Sequence, residues 1–213
     1  MRTLPRLHIV TDDDVLARSS FPELAAALLA RGRKSVAMHL RGHRTSTRLL
    51  YDHAAILRRR AREAGAVLIV NERIDVALAV AADGVQLNVR SLPIAEARKL
   101  GQWRWVGYSA HDPEEAARVA ADGTDFVLLG TIYATATHPH AAPGGIGQVR
   151  AAAARANVPI LAIGGVTPER IPELVHVGAY GAAVVGGIWN ALDPVARVAD
   201  YLEALAVIAT PTE

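Results

Sequence analysis

A single-domain α/β fold, the (β/α)8 TIM barrel, is the architecture this sequence predicts, and three observations carry it. Eight short apolar runs alternate with amphipathic stretches along the whole chain. Spread over 213 residues, eight strand–helix units take about 27 residues each, the size of a compact barrel with no room for a second domain. The composition is 51% hydrophobic but only 5% aromatic. The core is therefore built from Ala, Val, Leu and Ile, which suits parallel strands covered by alanine-rich helices.

Taken in order, "LHIVTD" (7–12) reads as the first strand, followed by the helical stretch "PELAAALLARG". "SVAMHLR" (35–41) is the second, leading into "STRLLYDHAAILRRRAREAG". "VLIVN" (67–71), "GVQLN" (84–88) and "WVGYSA" (105–110) follow, the last running into "PEEAARVAADG". "FVLLGTI" (126–132), "ILAIGG" (160–165) and "GAAVVGG" (181–187) complete the set, and "PVARVADYLEALAV" closes the ring. Several helical stretches open with Pro followed by Glu and close at Gly, which are helix start and stop signals. The barrel domain is expected over residues 1–208, with 209–213 as a tail. A doubly wound open sheet would need a G-x-G-x-x-G turn after its first strand. The first strand runs instead into "TDDDVLARSS", without a glycine.

Composition excludes several function classes. The chain has no cysteine, so disulfides, thiolate zinc sites and a cysteine nucleophile are ruled out. No apolar run reaches the roughly 18 residues of a membrane span, and the N-terminus lacks the apolar stretch of a secretory signal. A cytoplasmic enzyme is the expectation, with no membrane or nucleic-acid partner; homo-oligomerisation is left open. A formal charge of +2 gives no support to nucleic-acid binding, which needs clustered basic residues. The only lysines are Lys34 and Lys99. Neither falls at a strand end, which argues against Schiff-base chemistry, since that needs a lysine desolvated in an apolar site.

In a barrel of this kind the chemistry sits at the C-terminal ends of the strands. Those ends carry Asp12, His39, Arg41, His43, Asn71, Glu72, Gln86, Asn88, Ser109, His111 and Thr131, above strand interiors expected to be apolar. The last two strands end in "AIGGVTPER" and "VVGGIWN". Loops after strands seven and eight commonly bind a phosphate in this fold, and glycines let backbone N–H groups approach an anion closely. Gly164, Gly165, Gly186 and Gly187 are the expected phosphate grip. In "VAMHLRGHRTSTR" an apolar strand runs into His39, Arg41, His43, Arg44 and Arg48. Arg41 and one or both histidines are expected to face the ligand, with Arg44 and Arg48 in solvent.

The segments "HIVTD", "HLRGH", "LIVNERIDVALAVAADGVQL", "GYSAH", "TIYATATHPHAAPGG" and "ILAIGGVTPERIPELVHVGAYGAAVVGGI" together resemble the thiamine phosphate synthase/TenI superfamily across nearly the whole chain. In that superfamily the synthase joins a pyrimidine diphosphate to a thiazole phosphate with Mg²⁺. The TenI branch contains thiazole tautomerases, which need no metal. Substrate contacts are expected from Arg41, Asn71, Glu72, Ser109, Thr131, Thr135 and Thr137.

Departures from the synthase pattern shift the expectation. Where the resemblance implies Gln-x-Arg-x-Lys, the chain has His39-Leu40-Arg41-Gly42-His43. Asn-Asp-Arg appears as Asn71-Glu72-Arg73, the second aspartate falls at Ser91, and Thr-x-Thr-Lys reads Thr135-Ala136-Thr137-His138. Departure of a diphosphate calls for fixed positive charge, and an imidazole with a pKa of about 6.5 is mostly neutral at pH 7. A tautomerase needs one phosphate grip and a group that titrates near neutrality. The first expectation is thus a TenI-like tautomerase of thiamine biosynthesis, a cofactor-free isomerase acting on a phosphorylated thiazole. Its candidate proton carriers are His39, His138 and His43, since the histidine that the tautomerase pattern places after strand six is Thr131 here. The alternative is a divergent thiamine phosphate synthase (a transferase) with Mg²⁺ at Glu72. The third reading is a catalytically silent relative that binds a phosphorylated ligand.

Overall fold

The computed structural model describes residues 3–135 and 142–207. Eight parallel strands close into a barrel in sequence order, β1 Leu7–Val10, β2 Val36–Leu40, β3 Val67–Asn71, β4 Gly84–Leu87, β5 Trp105–Ala110, β6 Phe126–Leu129, β7 Ile160–Ile163 and β8 Gly181–Val184. β8 returns to pair with β1, Leu7 opposite Ala182, so no strand edge is left open. The predicted strands are all present, but most of the predicted segments overrun at the C-terminal end. There the chain turns out of the ladder into the loops that build the mouth.

Alternation along each strand sorts side chains into two cores. Val10, Ala37, Val67, Ile69, Phe126, Leu128, Leu161 and Ala183 point into the barrel. Leu7, Ile9, Met38, Leu40, Leu68 and Val70 point outwards and pack under the helices. Both faces are covered, so the strands read as continuous apolar runs rather than as alternation. The expectation of an apolar interior needs correction. His8, His39 and Gln86 lie at 0–1% exposure on the inward register.

The principal helices are α2 Phe21–Gly32, α3 Thr47–Ala64, α6 Pro113–Ala121, α7 Gly145–Arg155 and α10 Pro194–Val207. The α3 helix starts where the Ser46 hydroxyl accepts from the Leu49 N–H and ends at Gly65, whose φ of 70° an L side chain resists. The α6 helix starts on Asp112, which accepts from Glu115 N, while Glu115 Oε2 accepts from His111 N, a reciprocal cap. Shorter helices α1 Asp13–Leu16, α4 Ile74–Ala79, α5 Ile94–Leu100, α8 Ile171–His176 and α9 Gly186–Trp189 fill the connections. Among the described residues no helix is long and apolar enough to cross a membrane.

Candidate active site

A cavity of about 640 Å³ opens at the C-terminal mouth of the barrel, within the size range of small-molecule sites. Its floor is apolar, from Val10, Leu128, Ile163 and Ala183. Its walls come from the loops after β2, β3, β5, β6, β7 and β8.

One wall is a glycine corner. Gly164, Gly165, Gly186 and Gly187 all line the cavity. Gly164 and Gly165 have φ of 97° and 63°, in the left-handed region. A Cβ on Gly165 would come within 2.5 Å of the Ala134 carbonyl, and one on Gly164 within 2.7 Å of Thr131 Cγ2. The β6 loop packs tightly here, with Tyr133 N–H donating to Gly164 O at 3.0 Å. Gly165, Gly186 and Gly187 donate their own N–H groups to no loop carbonyl among the described residues. Arg170 borders the same corner. It donates to Gly165 O at 2.5 Å and lies over the Tyr133 ring, 4.2 Å from the centroid.

Arg41 lines the cavity from β2. Its backbone is fixed by buried Thr11, whose hydroxyl accepts from Arg41 N at 2.8 Å and donates to Arg41 O at 2.9 Å. Among the described residues the Arg41 guanidinium has no hydrogen-bond or ion-pair partner. Arg44 and Arg48 stand in solvent, 77% and 86% exposed at the side chain.

The structure keeps two of the candidate histidines, His39 and His43, off the cavity wall. His39 is fully buried beneath the cavity and does not line it. Its Nδ1 lies 3.0 Å from Asn71 Oδ1 and its Nε2 lies 2.8 Å from His8 Nδ1. Burial holds its pKa down to about 4, although the Asn71 contact pulls the other way. A ring sealed from the cavity cannot carry a substrate proton. His43 also stays off the cavity wall, with Nδ1 3.7 Å from Glu72 Oε2. Partial burial, then nearby Arg41, lowers its pKa despite that carboxylate. His138 and Thr137 lie outside the described residues.

Asn71, Ser109, Thr131 and Thr135 line the cavity. Ser109 Oγ accepts from Gln86 Nε2 at 2.9 Å, which leaves the hydroxyl hydrogen free to turn towards a ligand. Glu72 does not line it. Its carboxylate faces His43 and Arg90, 3.4 Å from Arg90 Nη2, on a residue with φ of 62°. Sequence reasoning passed over Arg170 and Gln148 and placed His111 among the strand-end residues without giving it a role. Arg170 was hidden in a helix-start pattern, and only the turn after Gly165 carries it back over the mouth. His111 is the one imidazole among the described lining residues. Its Nδ1 is 3.2 Å from Gly130 O, which requires Nδ1–H and leaves Nε2 with the lone pair.

Magnesium is held in many phosphate-transfer sites by one or two carboxylates together with the phosphates of the substrate. The donor set of the described residues offers a single carboxylate for that limited role, Glu72, beside the cavity and next to Arg90. Among the described residues no three acidic or imidazole groups cluster into a protein cage. Glu72 is a carboxylate at the rim, one residue beyond cavity-lining Asn71. Ser91, where a second carboxylate is missing, serves its own loop by accepting from Asn88 N.

Fold and site together define a (β/α)8 barrel with a small-molecule-sized cavity at its C-terminal mouth. The thiamine monophosphate synthase family profile matches residues 7–188, and the chain belongs to that family. It is 38% identical over 204 residues to the thiamine-phosphate synthase of Chloroflexus aurantiacus, covering 95% of this chain and 93% of the relative. It is 35% identical over 212 residues to that of Salinispora arenicola, covering 96% and 99%. Among solved structures, the thiamine phosphate pyrophosphorylase of Pyrococcus furiosus superposes with a TM-score of 0.83 at 27% identity, covering 96% of this chain and 97% of that one. Similarity to relatives named as synthases moves the reading away from the tautomerase expected first.

Proposed function

We propose that the protein is a thiamine phosphate synthase of divergent sequence, and the observation that carries this is a cavity with two anion-attracting poles. The glycine corner with Arg170 faces it from β7 and β8, and Arg41 faces it from β2. A tautomerase needs one phosphate grip. Joining a pyrimidine diphosphate to a thiazole phosphate needs two. The similarity to synthases over nearly the full chain supports the same reading.

In this mechanism the glycine N–H groups hold the thiazole phosphate, and the thiazole ring lies over the apolar floor. The diphosphate of the pyrimidine substrate lies against Arg41. The thiazole nitrogen attacks the methylene carbon of the pyrimidine, the C–O bond breaks with its electron pair on oxygen, and diphosphate leaves. No proton moves in that step, so a mouth with few titratable groups suffices. Arg41 supplies a planar, positively charged fork for the diphosphate oxygens. Mg²⁺ held by the diphosphate and Glu72 would neutralise part of the leaving-group charge.

Incubating the protein with hydroxymethylpyrimidine diphosphate, thiazole phosphate and Mg²⁺ tests the reading by formation of thiamine phosphate and inorganic diphosphate. Turnover in the usual enzyme range of about 1 to 1,000 per second is the expected result. No product, while thiazole phosphate still raises the melting temperature, points to the silent relative.

A tautomerase keeps one supporting observation, the Nε2 lone pair of His111 on the cavity wall. Isomerisation of thiazole carboxylate phosphate that His111→Ala abolishes, with no synthase product, favours that second reading.

A further inference from the structure

A chain of contacts climbs through the barrel core to the cavity. His8 Nε2 lies 3.0 Å from Pro5 O, His8 Nδ1 lies 2.8 Å from His39 Nε2, and His39 Nδ1 lies 3.0 Å from the amide of Asn71. The strand register builds it. His8 pairs with Ala37 and His39 stands two residues further on; His39 pairs with Ile69 and Asn71 stands two further on. Each step therefore rises one inward-facing layer towards the mouth. Both imidazoles are at 0% exposure, with the Phe126 ring edge-on to each. Asn71 is 8% exposed and lines the cavity.

Counting protons decides how this chain is polarised. Three contacts need three hydrogens, but two neutral imidazoles supply two. Pro5 O can only accept, so His8 carries its hydrogen on Nε2 and offers a lone pair at Nδ1. His39 must then donate from Nε2, which leaves a lone pair at His39 Nδ1. Facing Asn71 Oδ1, that lone pair would meet another acceptor. A half-turn of the amide puts Nδ2 there instead, with no change in volume. The remaining route is an imidazolium in a site without exposure or an acidic partner. Burial opposes it, holding His8 well below its ordinary pKa and His39 near 4.

We propose that the His8–His39 pair fixes the Asn71 amide with its carbonyl oxygen facing the cavity, where it selects a ligand that carries an N–H or O–H donor. This deepens the reading of the cavity as the substrate site and rests on it. Neither histidine touches the ligand; both are positioning residues for Asn71. Of the two synthase substrates, the aminopyrimidine carries such donors on its ring amine. A site with a committed acceptor rejects an analogue that lacks the donor, because the buried oxygen is left unpaired.

The first test needs no ligand. With ¹⁵N-labelled histidine in the full chain, both rings are expected as Nε2–H tautomers from pH 6 to 8. A proton on His39 Nδ1, or an imidazolium signal from either ring, overturns the proposal. The second test compares the affinity of 4-amino-5-hydroxymethyl-2-methylpyrimidine diphosphate with that of its analogue bearing methyl in place of the amine. Wild type is expected to bind the analogue about tenfold more weakly. In His8→Phe the acceptor for His39 Nε2 is gone, so His39 is free to shift its proton to Nδ1 and turn the Asn71 NH₂ into the cavity. That variant is expected to lose most of the discrimination, with the tautomer change visible in the ¹⁵N spectrum. Equal affinity of wild type for both probes overturns the ligand half of the proposal. Should His8→Phe not fold, the wild-type measurements still decide. Absence of synthase activity would leave the tautomer result standing, and a wrong tautomer would leave the synthase reading standing.

Discussion

The Thr11 hydroxyl holds both backbone polar groups of Arg41, accepting from its N–H at 2.8 Å and donating to its C=O at 2.9 Å. A side chain on β1 thus sets the direction in which the chain leaves β2, and with it where the guanidinium stands. Thr11→Val has the same shape but leaves the N–H and C=O of Arg41 without that partner. It is expected to lower stability by about 2 kcal/mol and to raise the KM for the pyrimidine diphosphate. Thr11→Ser is expected to restore both. Denaturant melts and initial rates on the two variants check this.

The glycine corner has an internal control. Gly165 and Gly65 share a left-handed backbone, with φ of 63° and 70°. A Cβ on Gly65 meets nothing within 4 Å, whereas one on Gly165 meets Ala134 O at 2.5 Å. Gly65→Ala should cost about 1 kcal/mol of backbone strain and leave phosphate affinity unchanged. Gly165→Ala should cost more and weaken inorganic phosphate binding by roughly tenfold or beyond. Calorimetric titration with phosphate separates the two, and equal phosphate affinity in both variants would remove the corner from the phosphate site.

His39 gives the protein an acid-sensitive core. In the unfolded chain a histidine titrates near about 6.5, whereas burial brings the folded value to about 4. Between these values the unfolded chain binds a proton that the folded one does not. Stability is therefore full above about pH 6.5 and falls as the pH drops towards 4, by on the order of 3 kcal/mol from this ring. Urea unfolding at pH 7, 5.5 and 4.5 measures the slope. His39→Leu is expected to be less stable at pH 7 but to lose less on acidification.

Where the synthase pattern has a lysine, His43 lies beside Glu72 with a lowered pKa. It contributes little positive charge at pH 7. His43→Lys is expected to raise synthase turnover about tenfold, which corresponds to about 1.4 kcal/mol of added leaving-group stabilisation. A rate unchanged or lowered across pH 6 to 9 would argue that the diphosphate does not sit at this end of the mouth.

Glu72 is tested separately by its metal dependence. Glu72→Gln keeps the size of the side chain and removes its charge. The Mg²⁺ concentration for half-maximal rate is expected to rise by about tenfold or more, with little change in thermal stability, because the Glu72–Arg90 ion pair and the neighbouring His43 ring are partly exposed.

The barrel, its strand order and the glycine corner were legible in the sequence because they rest on local chemistry. Apolar runs of four to six residues, glycines at two strand ends and helix starts with Pro before Glu announce themselves within a few positions. The places of Arg41 and the glycines on the cavity wall were legible for the same reason: they sit at strand ends, and a barrel sends strand ends to the mouth. What the linear order could not show is which way each residue near a strand end points, or how far it lies below the rim. His39 on β2 and Arg41 just past its end are separated by one residue, yet one is sealed in the core and the other lines the cavity. The stagger between β1, β2 and β3 places His8 under His39 and His39 under Asn71. That stagger arises from the closure of eight tilted strands, a property of the whole sheet and of no single segment. Sequence alone determined which strand-end groups reach the neighbourhood of the mouth. The tertiary structure alone decided which line the cavity and which lie beneath it, because depth and direction in a closed barrel are set by its shear.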